Sequence, residues 1–135
     1  MKWMIDRLSA AQVWVVLAAL WFGAVGPAQA QVQVRDARVW PAPDHVRFVL
    51  DLGAATRYSV FTLDNPHRVV IDLTDARLAK RLDKIDLGSG PIKGIRTAVR
   101  NDKDIRIVLD LSQPIKTNSF TLEPNDQYGH RLVVD

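Results

Sequence analysis

From His45 to Leu52 apolar and polar positions alternate, with Val46, Phe48, Leu50 and Leu52 on one face and Arg47, Val49 and Asp51 on the other. Side chains two apart on an extended chain share a face, so the stretch predicts a strand with one buried side. The same period of two recurs in Arg68 to Leu73, Ile105 to Leu111 and Arg131 to Asp135. Weaker strands are expected at Val32 to Trp40, Tyr58 to Leu63, Ile92 to Arg100 and Lys116 to Leu122. A helical turn is expected only around Ala76 to Leu82. The fold class is therefore all-β.

The eight strands are four strands written twice. Val46 to Leu63 aligns on Ile105 to Leu122 without a gap and with 8 identities in 18 positions, among them Arg47/Arg106, Asp51/Asp110 and Phe61/Phe120. After an insertion around Asp126 to Gly129 the match resumes with His67/His130, Arg68/Arg131, Val70/Val133 and Asp72/Asp135. Upstream, Arg35-Asp36-Ala37-Arg38 faces Lys93-Gly94-Ile95-Arg96. A tandem duplication follows, with a first repeat over about 32–73, a linker over about 74–91 and a second repeat over about 92–135. Turn chemistry separates the strands at Pro41-Ala42-Pro43-Asp44, Asp64-Asn65-Pro66, Asn101-Asp102-Lys103-Asp104 and Pro124-Asn125-Asp126. Each strand has one apolar face to cover, and each four-stranded repeat has its duplicate as the natural partner. The expected architecture is a symmetric β-sandwich of two four-stranded sheets, one from each repeat.

Four strands carry Arg-x-Val-x-Asp on the face turned away from that core: Arg47 to Asp51, Arg68 to Asp72, Arg106 to Asp110 and Arg131 to Asp135. Each repeat should then show an outward patch of two arginines and two aspartates around two valines. Such a patch has two uses. It can be a solvated face held in register by cross-strand ion pairs. It can also be a polar ligand platform, with arginine forks for carboxylates and aspartates accepting from hydroxyls or amines.

Charge and composition narrow the function without naming it. The chain has 18 Lys and Arg against 15 Asp and Glu, with 47% apolar residues and no cysteine. A net charge of +3, scattered along the chain, does not argue for nucleic acid. Three histidines and one glutamate leave little for a metal centre or a catalytic carboxylate pair. His45, His67, His130 and Glu123 lack any zinc-binding spacing, and Gly88-Ser89-Gly90 lacks the lysine and helix of a phosphate loop. No catalytic residue, metal or cofactor is expected. Trp40 and Tyr58 could stack on a sugar ring, but their places at strand ends favour partial packing into the core.

The first thirty residues differ from the rest. Lys2 and Arg7 precede an apolar run from Val13 to Val25, and Ala28 and Ala30 supply the small residues of an A-x-A cleavage site. The run falls short of the roughly 20 residues that span a bilayer. A secretory signal peptide over 1–30, cut between Ala30 and Gln31, is expected. Without a twin-arginine pair the general secretory route is the default, and the exported chain needs no membrane after cleavage.

Val34-Arg35-Asp36-Ala37-Arg38-Val39-Trp40, Val46 to Leu52, Tyr58-Ser59-Val60-Phe61-Thr62-Leu63 and Pro66-His67-Arg68-Val69-Val70-Ile71-Asp72-Leu73 together resemble the AMIN domain. That module is found at the N-terminus of periplasmic N-acetylmuramoyl-L-alanine amidases and in type IV pilus secretins. The resemblance spans residues 31–135. It implies a symmetric sandwich with shared motifs on its outer faces, a periplasmic location, and a role in binding peptidoglycan and targeting the division septum. Carried over by position, the binding candidates are Arg47, Asp51, Arg68, Asp72, Arg106, Asp110, Arg131 and Asp135. An alternative is a protein-interaction domain that docks onto a divisome, secretin or outer-membrane partner through an exposed strand edge.

In the amidases a linker and a zinc-dependent catalytic domain follow. Here Asp135 aligns with Asp72, one residue short of the first repeat's Leu73. The expectation is a truncated part of a cell-wall amidase, non-catalytic in itself, with hydrolase activity confined to the part that would follow.

Overall fold

A computed structural model describes residues 31–135. The expected signal peptide over 1–30 lies outside the described residues. Nine strands are present among them: β1 (Val32–Pro41), β2 (Val46–Leu52), β3 (Tyr58–Leu63), β4 (Arg68–Leu73), β5 (Ala76–Leu78), β6 (Ile92–Arg100), β7 (Asp104–Leu111), β8 (Ser119–Leu122) and β9 (His130–Val134). They form two sheets, in the orders β5-β1-β2-β9-β8 and β3-β4-β7-β6. The all-β sandwich expected from the period of two is the observed fold, with one strand more than the repeat supplies.

The alternating apolar residues meet between the sheets. Phe48, Leu50 and Leu52 of β2 pack in one buried cluster with Ile71 and Leu73 of β4, Ile107 and Leu109 of β7 and Leu132 of β9. Burying these side chains away from water is the main favourable term in a chain with no cysteine to staple it.

The assignment of one sheet to each repeat is not what the structure shows. β1 and β2 of the first repeat pair with β9 and β8 of the second, through antiparallel registers such as Val49↔Val133 and Asp51↔Arg131. β3 and β4 likewise join β7 and β6, with Val70↔Val108 and Asp72↔Arg106. Alternation says which face is buried but not which strand lies alongside. The connections Gly53–Arg57 and Ser112–Asn118 cross from one sheet to the other instead of turning back as tight hairpins. Each repeat thus places one hairpin in each sheet, and the two repeats interlock.

The internal two-fold survives in detail. β1-β2-β9-β8 maps onto β6-β7-β4-β3, and both β1 and β6 carry a bulge early in the strand, at Val34/Asp36 and at Ile92/Gly94. The β6–β7 hairpin turns on Asn101 and Asp102, at φ 54° and 58°, the left-handed pair of a type I′ turn.

The expected helical turn at Ala76 to Leu82 is instead the short strand β5, parallel to β1. The exposed edge of β1 supplies its hydrogen bonds: the Val32 N–H donates to the Asp75 carbonyl at 2.9 Å, and the Ala79 N–H donates to the Val34 carbonyl at 2.9 Å. Ala76 and Leu82 are both buried in the core. An open sheet edge outweighs the weak helical preference of a single turn.

Candidate functional site

On the outer face of the five-stranded sheet, β1 presents Asp36, Arg38 and Trp40, and β2 presents Arg47, Val49 and Asp51. These residues are opposite one another in the register Asp36↔Asp51, Arg38↔Val49 and Trp40↔Arg47. β9 adds Arg131 and Val133, with Asp135 just beyond it, and β8 adds Phe120 and Leu122. Val49 and Val133 are buried although they point away from the main core. The long arginine stems and aromatic rings beside them cover them.

Two arginine–aspartate forks tie this face together. Arg38 donates from Nε and Nη2 to Asp51 at 3.1 and 2.9 Å. Arg47 donates in the same two-pronged way to Asp135 at 2.8 and 2.9 Å, and its guanidinium lies over the Phe120 ring. The hydrogen bonds from Arg47 hold the Asp135 carboxyl below the usual carboxylate range and raise Arg47 in return. Asp36 is likewise lowered, first by its hydrogen bond with Lys80, which stands at 2.9 Å.

Arg131 differs from its neighbours. It stands opposite Asp51 in the register, but that carboxylate is already held by Arg38. Its buried Nε has no hydrogen-bond partner among the described residues, and its guanidinium lies 4.9 Å from the centre of the Tyr128 ring. Arg38 sits 5.1 Å from the same ring. Around these groups opens a cavity of about 430 Å³, with Val49 and Val133 as its floor and Arg38, Arg47, Arg131, Trp40, His45 and Tyr128 among its walls. Among the described residues, three guanidinium groups line the cavity and no carboxylate does. Trp40 keeps 56% of its surface exposed here, so the expectation that it packs into the core fails, whereas Tyr58 does pack against the core. The register explains Trp40: it stands opposite Arg47, on the outer side of the sheet.

The outer face of the four-stranded sheet repeats the forks without the cavity walls. Arg106 donates to Asp72 at 2.8 and 2.8 Å and lies over Phe61, while Arg96 donates to Asp110 at 2.9 and 2.8 Å. The hydrogen bonds from Arg106 hold Asp72 below the usual carboxylate range. Arg68, the counterpart of Arg131, donates to the Pro66 carbonyl at 2.7 Å. Ala98 stands where Trp40 stands on the other face, since it is opposite Arg106.

The eight candidates from the sequence therefore fall into two groups of four, each drawn from both repeats rather than from one. Arg47, Asp51, Arg131 and Asp135 share one face; Arg68, Asp72, Arg106 and Asp110 share the other. All four aspartates are engaged in forks within the chain. Sequence reasoning missed Arg38 and Arg96 as their fork partners, although both lie in the aligned upstream segments and alternate with the core positions Ala37 and Ile95. It also missed Tyr128, which lies in the insertion where the second repeat departs from the first and so has no aligned counterpart.

The histidines are dispersed. His45 pairs with Asp44 at 2.8 Å and His67 with Asp64 at 3.0 Å, while His130 begins β9 in the opposite sheet from β4, which His67 precedes. Among the described residues no group of three or more metal-ligating side chains converges.

Comparison with known proteins places this geometry in a lineage. The chain is 36% identical over 107 residues to N-acetylmuramoyl-L-alanine amidase AmiC of Neisseria meningitidis serogroup B, covering 76% of this chain and 26% of that protein. It is 34% identical over 107 residues to N-acetylmuramoyl-L-alanine amidase AmiC of Escherichia coli O6:H1, again 76% of this chain and 26% of that protein. The chain thus spans about a quarter of the length of the curated relatives it matches. The family profile of the AMIN domain matches residues 36–135, which contain both outer faces and both forks on each. This chain belongs to the AMIN domain family.

Proposed function

We propose that this chain is a non-catalytic peptidoglycan-binding module of the periplasm, delivered by the general secretory route, which localises to the septal cell wall. The outer face of the five-stranded sheet is its binding face. One observation carries that choice: Arg131 stands in a 430 Å³ cavity without a carboxylate partner among the described residues, beside the exposed rings of Trp40 and Tyr128. Peptidoglycan offers sugar rings, which lie flat on aromatic side chains, and free carboxylates on its stem peptides. A guanidinium that no carboxylate of the described residues holds matches a carboxylate in geometry and charge. The amidases among its relatives act on the same polymer.

The forks have a supporting role in this reading. Arg38 and Arg47 are satisfied by Asp51 and Asp135, so they fix the walls and leave Arg131 to meet the ligand. Amide cleavage is not assigned to these residues. A zinc-bound water needs three converging protein ligands, and the histidines here lie at separate strand ends.

Co-sedimentation with purified sacculi tests the proposal. The chain lacking residues 1–30 pellets with sacculi at low salt and is released as salt rises. A protein that stays in the supernatant at low salt overturns the reading, and chelator-sensitive release of peptide from the sacculi overturns its non-catalytic part.

A further inference from the structure

Tyr128 belongs to the insertion that sets the second repeat apart from the first, and its loop is tied down by its own hydrogen bonds. The Gln127 and Tyr128 N–H groups donate to Asn125 Oδ1 at 2.9 and 2.8 Å, and the Asn125 N–H donates to the Tyr128 carbonyl at 2.8 Å. The ring is thereby fixed beside Arg131 before any ligand arrives, which removes part of the ordering cost of binding. The other outer face lacks this arrangement: Ala98 stands in place of Trp40, and Arg68 turns to the Pro66 carbonyl.

The charges of the cavity leave a place for one anionic group. Arg38 and Arg47 are each neutralised by an aspartate, and Asp44 nearby is hydrogen-bonded to His45 at 2.8 Å. Arg131 is the one guanidinium of the three with no carboxylate partner among the described residues. Both forks use Nε and Nη2, so Nη1 of Arg38 and of Arg47 is left as a further donor. A ligand ammonium would face three guanidinium groups and is disfavoured. The floor sets a second condition. Val49 and Val133, 5% and 1% exposed, offer only methyl groups there, a surface that rewards a small apolar substituent beside the anion.

We propose that this cavity receives a carboxylate whose neighbouring carbon bears a methyl group, with the charge at Arg131 and the methyl on the floor of Val49 and Val133. The inference rests on the wall-binding reading for where such a group is met. Peptidoglycan presents it in two places: the terminal alanine of a stem peptide, and the lactyl arm of a muramic acid whose stem peptide has been removed. In each, the carboxylate is free only while an amide is absent, a cross-link in the first case and the bond between sugar and peptide in the second. The site therefore distinguishes opened wall from closed wall. Trp40, 56% exposed at the rim, adds a face for the sugar ring that comes with the lactyl source.

The chain lacking residues 1–30 is titrated with N-acetylmuramic acid and with N-acetyl-D-alanyl-D-alanine and followed by NMR. Saturable shifts are expected for both at the methyl groups of Val49 and Val133 and the side-chain N–H of Arg131. N-acetylglucosamine and the C-terminal amide of the dipeptide should bind at least about tenfold more weakly, as expected for loss of a charge-assisted hydrogen bond. N-acetyl-D-alanyl-glycine, which lacks the methyl, should bind about threefold more weakly than its alanine parent. Tighter binding of the muramic acid assigns the site to stripped glycan, and tighter binding of the dipeptide assigns it to stem-peptide ends. Arg131→Gln should abolish the shifts; if that variant does not fold, the comparison of acid with amide decides alone. No saturable shifts, equal binding of acid and amide, or shifts centred on Arg68 and Asp110 would overturn the proposal. Sedimentation with sacculi separates this site from the reading beneath it. A chain that pellets but shows no preference for the acids loses this inference and keeps wall binding, whereas one that binds the acids without pelleting keeps the site and loses wall binding.

Discussion

Tyr128 lies between Arg38 and Arg131, whose guanidinium carbons stand 5.1 and 4.9 Å from the centre of its ring. One of these cations is neutralised by Asp51 and the other is not. The ring therefore both orients Arg131 and walls the cavity. Tyr128→Phe should retain sedimentation with sacculi, because the ring face is kept. Tyr128→Ala should lose about three- to tenfold in affinity, in line with about 0.5–1 kcal/mol for an exposed cation–π contact and the loss of a stacking surface. Equal retention by both variants would remove the ring from the binding face.

Arg131 and Arg68 are symmetry mates with different neighbours, which makes a matched pair of substitutions informative. Arg131→Ala should abolish sedimentation at moderate salt, and Arg131→Lys should restore it only in part, because an ammonium cannot present the two-pronged fork. Arg68→Ala should leave binding within about twofold of the parent, since its guanidinium is turned to the Pro66 carbonyl. Comparable losses from the two alanine variants would mean that both outer faces bind.

Asp72 and Asp135 are lowered below their ordinary range by the hydrogen bonds of Arg106 and Arg47. Folded values below unfolded ones mean that the forks contribute their full stability above the unfolded carboxylate value of about 4. That contribution fades as pH falls through the lower folded values. Urea midpoints should therefore be flat from about pH 5 to 7 and decline below about pH 4. Asp72→Asn should give a lower midpoint at neutral pH and a shallower acid decline.

Leu82 is buried among core residues although it lies beyond β5, in the segment between the repeats. Leu82→Ala should destabilise the chain by about 2–4 kcal/mol, as a large-to-small change in a packed core does. Arg81→Ala, on the exposed neighbour, should cost less than about 0.5 kcal/mol. Chemical denaturation of the two variants checks both values. A tolerant Leu82 would mean that the segment is a passive tether.

Most of the fold was legible because the period of two is strong: Phe48, Leu50 and Leu52 announce their face, and Arg47 and Asp51 announce the opposite one. The repeat alignment went further and paired Arg47 with Arg106 and Asp135 with Asp72 as equivalent positions, which the structure joins as the same fork made twice. Neighbour relations were not legible. Nothing in the local pattern says that β2 lies against β9, since Val49 and Val133 read alike whichever strand they face. The outer cavity was equally hidden, because Tyr128 belongs to an unaligned insertion and the exposure of Trp40 depends on its register with Arg47.

The interlocked hairpins also govern the order in which the molecule can assemble. The Arg47–Asp135 fork joins residues 88 apart, and β2 has no neighbour on its inner side until β9 has been made. Neither repeat can close a sheet alone, so no half of the sequence is a foldable unit. Pairings this distant in sequence carry a large loop-closure cost before any contact rewards it, which belongs to slow, single-step folding. A chain threaded through a pore from its N-terminus would emerge unstructured until its last strand was through.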